Sequence, residues 1–482
     1  MGGKSAAKVI ITVATIVSII TNIYIYTYPS VDPTKCFWRC KSSMTEYEQD
    51  ILEQGGQLEK AAYFTKRYLK DVSKQLFSKK DRLSNDDDDV PEVHMLAFGD
   101  PQIKGTFKST PYRTRLDTFG NDYFLGHIFD TMVSRLNPTH VAVMGDLFSS
   151  QWIGDSEFYN RTIRYVSRIF KRDVSLLESI KENNKNANNE YQVDWDLWGK
   201  NFNQIRKEGS PMNFDFGYSD VHSWEDNENY LFINLTGNHD IGYSGDITYQ
   251  HLSRYNQLFG KDNYWVEYDL DTDHPWRIVV LNSVALEGPA LQPEFLEVTW
   301  EFLYQLFERR FNGSTVLLTH VPFYKREGLC SDGPEFRFYP EAYEKEPYKS
   351  NLLRSQNHLS EDVSNRVLNL IFDNDKPGII LTGHDHEGCE TIYNRNSTNG
   401  KWVAANTILN NHDLNIKEVT VKSMMGQYEG NTGIVTGQFN KKIGKWQWYY
   451  TVCPFNHEHV WWVAKVTAII CSLAWPLLLL VF

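Results

Sequence analysis

Both ends of the chain are apolar for long enough to cross a lipid bilayer, and that fixes more about its architecture than any other feature. Residues 9–28, VIITVATIVSIITNIYIYTY, carry no charge, and about 20 apolar residues span a hydrocarbon layer of about 30 Å. Residues 460–482, VWWVAKVTAIICSLAWPLLLLVF, do the same, interrupted by Lys465, which lies near enough to the end to snorkel. A cleaved signal peptide is the other reading of the first segment. Against it, the run exceeds the roughly 7–15 residues of a signal core, and no A-x-A-like site follows at Tyr26 to Asp32. Tyr24, Tyr26, Tyr28 and Trp38 mark the inner end of the first segment, and Trp461 and Trp462 open the second. These form an interfacial aromatic belt on one side of the membrane.

The expected layout is a short tail (1–8), a signal anchor (9–28), a connector (29–92), one large domain (93–455) and a closing span (460–482). Flanking charges barely decide which face holds the domain, since Lys4 and Lys8 precede the first span while Lys35, Arg39 and Lys41 follow it. Sequons at Asn160, Asn234, Asn312 and Asn396 are about as many as chance supplies, and the Gly2 myristoylation pattern fails at Ala6. Cysteine placement is more useful. Cys36, Cys40 and Cys453 are membrane-proximal and leave room for one bridge. Cys330 and Cys389 each follow closely on a segment rich in metal-ligand residue types and are plausible partners. Such positions suit an oxidising lumen, while Cys471 lies inside a span.

A net charge of −12 argues against a nucleic-acid partner, because phosphate backbones are held by basic surfaces. A charged stretch over 44–83 has helical apolar recurrence, and 85–90 (NDDDDV) reads as a solvated loop. Beyond it, apolar runs ending in polar residues recur between helical segments such as 295–311 and 362–373: HMLAFGD, HVAVMGD, NYLFINLTGNHD, WRIVVLNS, STVLLTH and PGIILTGHDH. That alternation predicts an α/β core of two packed sheets flanked by helices, with chemistry at the strand ends. Short β runs from 402 to 451 suggest hairpins completing the second sheet. Residues 151–229 read as an insertion near the site, with a low-complexity middle (ENNKNANNE) that suggests a mobile lobe.

The strand ends supply Asp100; Asp146 in GD; Asn238, His239 and Asp240 in GNHD; His320 in LLTHVP; and His384 and His386 in GHDH. Any one of these alone is more often structural. Five in this order are not an accident of composition. Two divalent cations about 3.5–4 Å apart need a shared carboxylate plus oxygen and imidazole ligands, and such a pair clamps an in-line displacement at phosphorus. Asp146 is the natural bridge.

These blocks resemble the signature of the calcineurin-like metallophosphoesterases: D-x-H, G-D, G-N-H-[DE], a lone His, and G-H-x-H. The resemblance implies one metal on Asp100, Asp146 and His386, and a second on Asp146, Asn238, His320 and His384. It further implies His239 as proton donor to the leaving oxygen, oriented by Asp240, with the ions activating the attacking water. Within the superfamily, the terminal spans, GNHDIGY at 237–243, THVPFY at 319–324 and the Cys330/Cys389 pair resemble the membrane-anchored enzymes that remove ethanolamine phosphate from GPI mannose. Those relatives imply a lumenal domain in the endoplasmic reticulum, or one cycling between it and the Golgi, with Mn²⁺ as the ion. Their implied substrate is a GPI lipid or GPI-anchored protein, with cargo receptors of ER exit as further partners. For the cationic amine, Asp332, Glu335, Phe336, Phe338 and Tyr339 are the candidates, and Gln356 for reach to the metals.

One position departs from the signature, since Gln102 stands where D-x-H has histidine. Its amide oxygen is a weaker ligand than imidazole, and yeast-type members of the same branch look alike at DPQ. Three rival readings follow. A purple-acid-type enzyme would want Tyr where Ser149 stands. A phosphodiesterase acting on another membrane lipid shares every ligand. A non-catalytic cargo-sorting protein with this fold would not need the whole ligand set.

Overall fold

The computed structural model describes residues 2–31, 36–38, scattered positions between 51 and 66, and 90–481 apart from 108, 208–213, 226–227, 374, 397, 410–413 and 456. Most of the charged stretch 44–83, nearly all of the acidic run after it, and Cys40 lie outside the described residues.

Two mixed sheets form the core. The first has the order β14-β13-β1-β2-β3, from β1 (Val93–Phe98), β2 (His140–Val143), β3 (Leu231–Asn234), β13 (Asn431–Asn440) and β14 (Lys445–Pro454). The second runs β11-β10-β12-β9-β6-β5-β4, from β4 (Tyr264–Tyr268), β5 (Trp276–Leu281), β6 (Ser314–Thr319), β9 (Gly378–Thr382), β10 (Cys389–Arg395), β11 (Trp402–Ala405) and β12 (Leu414–Thr420). A separate ribbon pairs β7 (Phe336–Phe338) with β8 (Leu353–Gln356). Each apolar run quoted above contains a strand. Their unbroken hydrophobicity has a cause: both faces are covered. Met95, Ala97, Ala142 and Ile233 meet Ile278, Val280, Val316, Leu318, Ile379 and Leu381 between the sheets. The alternate residues Leu96, Phe98, Val141, Val143, Phe232, Leu281, Leu317 and Ile380 face the helices outside.

Those helices include Tyr112–Leu136, Pro293–Glu308 and Glu361–Ile371. The tail does not complete one sheet, as its pattern suggested. Its hairpin β13–β14 pairs with β1, whereas β12 lies beside β9 in the other sheet. Period-two alternation specifies a strand but not its partner.

The segment 151–229 is also not a separate lobe. Its helix Asp155–Arg164 continues as a π-helical turn, Tyr165–Ile169, whose buried Tyr165, Val166 and Ile169 join the main core. Arg164 pairs with both oxygens of buried Asp122 at 2.7 and 2.8 Å, and Tyr165 donates to Asn234 at 2.5 Å. That bond buries one of the four sequon asparagines.

Disulfides join Cys36 to Cys453 and Cys330 to Cys389. The helices Gly2–Val31 and Glu458–Val481 pack together through Asn22 to the Ala464 carbonyl (3.1 Å), Lys465 to the Tyr26 hydroxyl (2.9 Å) and Trp475 to Thr15 (2.9 Å). Ser5–Tyr28 and Glu458–Leu480 have the length and composition of membrane spans, which mark the chain as a membrane protein.

Candidate metal centre

Parallel strands deliver their carboxyl ends to one place. β1 leads to Asp100, β2 to Asp146, β3 to Asn238, β6 to His320 and β9 to His384 and His386. The backbone bends sharply there, with positive φ at Asp100 (39°), Gln102 (41°), Asp146 (47°) and His384 (77°). Non-glycine residues held in this region cluster at functional sites. The glycine of each motif block makes room for a neighbour. A Cβ on Gly145 would sit 2.6 Å from His320 Nδ1, and one on Gly237 would sit 2.2 Å from Asp146 Oδ1. Glycine is what allows these blocks to converge.

Two groups of donors result, and they share one residue. Asp100, Asp146 and His386 have ligand atoms within 4.8 Å of one another, as do Asp146, His320 and His384. These are the sets the motif implied, with Asn238 Oδ1 lying 3.1 Å from His320 Nε2. The imidazoles fit a cation. His320 donates from Nδ1 to the Met144 carbonyl (2.8 Å), His384 from Nε2 to the Gln356 carbonyl (3.1 Å), and His386 Nδ1 meets the Tyr428 hydroxyl (3.2 Å). Each ring is tied at one nitrogen, which leaves the other as a lone pair.

Burial keeps these rings neutral. It lowers His320 and His386 below the ordinary histidine value, and with His320 nearby it takes His384 to about 3. With His320 in that tautomer, its Nε2 lone pair, Asn238 Oδ1 and Asp146 Oδ1 (3.3 Å away) are three acceptors with no proton between them. A divalent cation resolves that clash. Burial, then the charge on Asp146, pushes Asp100 well above the usual carboxylate range. Asp100 accepts the His384 amide at 3.1 and 3.2 Å.

His239 lies at the open side, its Nε2 3.8 Å from Asp146 Oδ2 and its Nδ1 without a partner. Asp240 does not orient it, contrary to expectation. Its carboxylate is buried and turned inward, accepting the Phe148 amide (3.1 Å) and the Gly237 amide (2.8 Å), so it ties the GNHD turn to the β2 loop. Gln102 does lie at the first donor group, its Nε2 3.3 Å from Asp146 Oδ2 and 3.2 Å from His386 Nε2.

The loop after Cys330 divides. Asp332 is half-buried, and burial followed by Asp385 and Glu335 raises its pKa. Glu335 is exposed and pairs with Arg337 at 2.9 Å. Phe338 is exposed and Phe336 half-buried. Gln356 acts through its backbone carbonyl on His384, and its side-chain oxygen is buried without a partner.

Tyr339 does reach the site. It lines a cleft of about 570 Å³ that opens beside Asn238 and His239 and also holds Trp152, Tyr343, Glu346 and Arg354. Buried Lys349 pairs with two of the lining carboxylates, 3.0 Å from both Asp246 and Glu346, and lies 4.2 Å above the Trp152 ring. Trp152, Lys349 and Tyr428 escaped the sequence reading because each comes from a loop with no motif. Ser149, at the Tyr position of purple-acid-type enzymes, accepts from Arg161 at 3.1 Å.

Fold and donor set together define a metallophosphoesterase that binds divalent ions. The chain is 56% identical over 486 residues to Protein TED1 of Saccharomyces cerevisiae, which covers 99% of this chain and 100% of that one. It is 21% identical over 345 residues to Metallophosphoesterase 1 of Danio rerio, over 68% of this chain and 67% of that one. A solved structure, the 5'-nucleotidase precursor from Thermus thermophilus, aligns at 12% identity over 81% of this chain and 60% of that one, with a TM-score of 0.29. No protein-family model matches. The chain belongs to the calcineurin-like metallophosphoesterases, in the family that contains Protein TED1.

Proposed function

We propose that the protein is a phosphodiesterase that removes ethanolamine phosphate from a mannose of the GPI glycan, with Mn²⁺ in both positions and the domain in the lumen of the endoplasmic reticulum. The observation that carries this reading is the cleft beside His239, in which the aromatic faces of Tyr339 and Tyr343 and the Arg354 guanidinium stand next to the metal donors, with Glu346 already paired to Lys349. A phosphodiester bearing a cationic amine needs both. Aromatic faces attract the ammonium, the guanidinium attracts the phosphoryl oxygens, and the donor groups would hold ions that polarise the phosphoryl group. His239, partly exposed at the edge of the donors, is placed to pass a proton to the departing mannose oxygen. The two spans keep the site near lipids, which raises the effective concentration of a lipid-anchored glycan. GPI-anchored proteins and GPI lipid are the proposed partners, and remodelling before export the proposed role.

The test is release of ethanolamine phosphate from a purified GPI mannoside by the full chain in Mn²⁺. Release from the mannoside and none of phosphocholine from sphingomyelin supports the reading. The reverse pattern assigns the centre to another membrane lipid. Binding of Mn²⁺ with no hydrolysis of either would favour a cargo-sorting role.

A further inference from the structure

The helix Tyr112–Leu136 carries a stripe that none of the described residues covers. Tyr112, Leu116, Phe119 and Tyr123 follow one another at helical spacing and are 79%, 44%, 46% and 37% exposed, and Phe107 in the preceding loop is 51% exposed. Four large apolar side chains on one exposed face are not the scatter of single residues that any surface shows. The opposite face of the same helix, through Leu125, Phe129 and Met132, is buried in the core.

What lies beside the stripe identifies its occupant. The first turns of the span Glu458–Val481 pack on the same helix, with the Trp462 ring so close to Gly120 that a Cβ there would sit 1.8 Å from it, and Trp461 6.5 Å from Phe124. The other span arrives one turn further on, where the Ile25 carbonyl meets His127 at 3.1 Å. Trp461, Trp462 and Tyr26 belong to the aromatic belt of the two spans, which sits at headgroup depth. Gly120 is therefore at that depth, and Phe119 and Tyr123 flank it. On the far side the stripe is bordered by Arg168, 5.8 Å from the Phe119 ring, and Lys171, 5.5 Å from the Tyr123 ring. Apolar side chains rimmed by cations suit a surface with anionic headgroups.

Strand register puts the metal centre on the same side. β13 begins opposite the carboxyl end of β1, with Ala97 paired to Gly433, and β14 ends there, with Pro454 paired to Asn431. The span that follows β14 thus starts from the edge at which β1 delivers Asp100. We propose that the face Tyr112–Leu116–Phe119–Tyr123, with Phe107, is seated in the bilayer interface beside the two spans, a third membrane contact that turns the mouth of the metal centre toward the headgroups.

The test uses the full chain in nanodiscs of phosphatidylcholine and phosphatidylserine, in a Cys40→Ala/Cys471→Ala background that leaves only the two disulfides. An environment-sensitive dye is placed at Leu116→Cys, at Phe119→Cys should the first variant fail to fold, and at Lys442→Cys as control. Lys442 lies at the tip of the β13–β14 hairpin, the end opposite the span. The expected result is quenching of the 116 label by nitroxide lipids with protection from aqueous iodide, and the reverse at 442. A 116 label as open to iodide as the 442 label overturns the proposal. So does a 116 label shielded from both quenchers, which would mean that a protein, such as a second copy of this chain, covers the face. No substrate is involved, so the outcome stands whether or not the GPI reading holds.

Discussion

Asp146→Asn separates stability from metal binding at this centre. The carboxylate is buried and belongs to both donor groups. Asparagine keeps its shape and the oxygen that accepts the His239 amide at 2.8 Å, but removes the charge shared by the two ions. In metal-free protein burial and Asp100 work against that charge, while the neighbouring His320, His239 and His384 favour it and hold Asp146 below the usual carboxylate range. A carboxylate oxygen of Asp100 lies within 4.8 Å, and two charges at that distance repel by about 3 kcal/mol at an effective dielectric constant of about 20. Burial and this repulsion together raise Asp100. These contributions oppose each other, so the metal-free variant should lie within about 1 kcal/mol of the wild type. With metal the two diverge. An ion at one hundred times its dissociation constant stabilises the wild type by about 2.7 kcal/mol, and the variant should gain almost none. The assay is unfolding of EDTA-stripped protein in detergent across a Mn²⁺ titration, with hydrolysis of a soluble phosphodiester alongside. A variant that keeps the metal-induced stabilisation would refute the shared-ligand assignment. A metal-free variant destabilised by about 2 kcal/mol or more would show that Asp146 is structural.

Gln102→His should tighten the first ion by about tenfold, or about 1.4 kcal/mol, in chelator competition, and unchanged retention would place Gln102 outside its shell. Tyr428→Phe frees His386 Nδ1 and should weaken Mn²⁺ binding by about tenfold or more; equal affinity would remove Tyr428 from the site. His140, buried against Tyr268 and Trp276, is held by that burial at about 4. Its native value lies below the unfolded value of about 6.5, so only the unfolded chain takes up the proton as pH falls between them. Stability should drop by about 3 kcal/mol over that window and then level off. His140→Gln should remove that part of the slope, and a parallel profile would refute it. Cys330→Ser/Cys389→Ser opens a loop of 59 residues, which the chain-entropy relation values at about 4 kcal/mol; an unchanged melting temperature would refute a stabilising role for the bridge.

The donor set was legible because each ligand ends a strand whose apolar run is written locally, and parallel strands bring such ends together. The same locality misled at Asp240, because sequence adjacency to His239 says nothing of where a carboxylate turns, and here three backbone groups of the GNHD and β2 turns were nearer. The insertion read as a lobe because its polar middle dominated the pattern, while the residues that bury it, Phe158, Tyr165 and Phe170, are spaced irregularly along an α-helix and the π-helical turn that continues it. Lys349 and Trp152 meet from nearly two hundred residues apart, a distance that no local pattern crosses.

The central claim is that this metal centre removes ethanolamine phosphate from GPI mannose, and glycan mass spectrometry tests it most directly. GPI glycans are compared from cells whose sole copy is the wild type or Asp146→Asn. One additional ethanolamine phosphate on a defined mannose in the variant is the predicted result. Identical glycans, with both proteins present at equal levels, would contradict it.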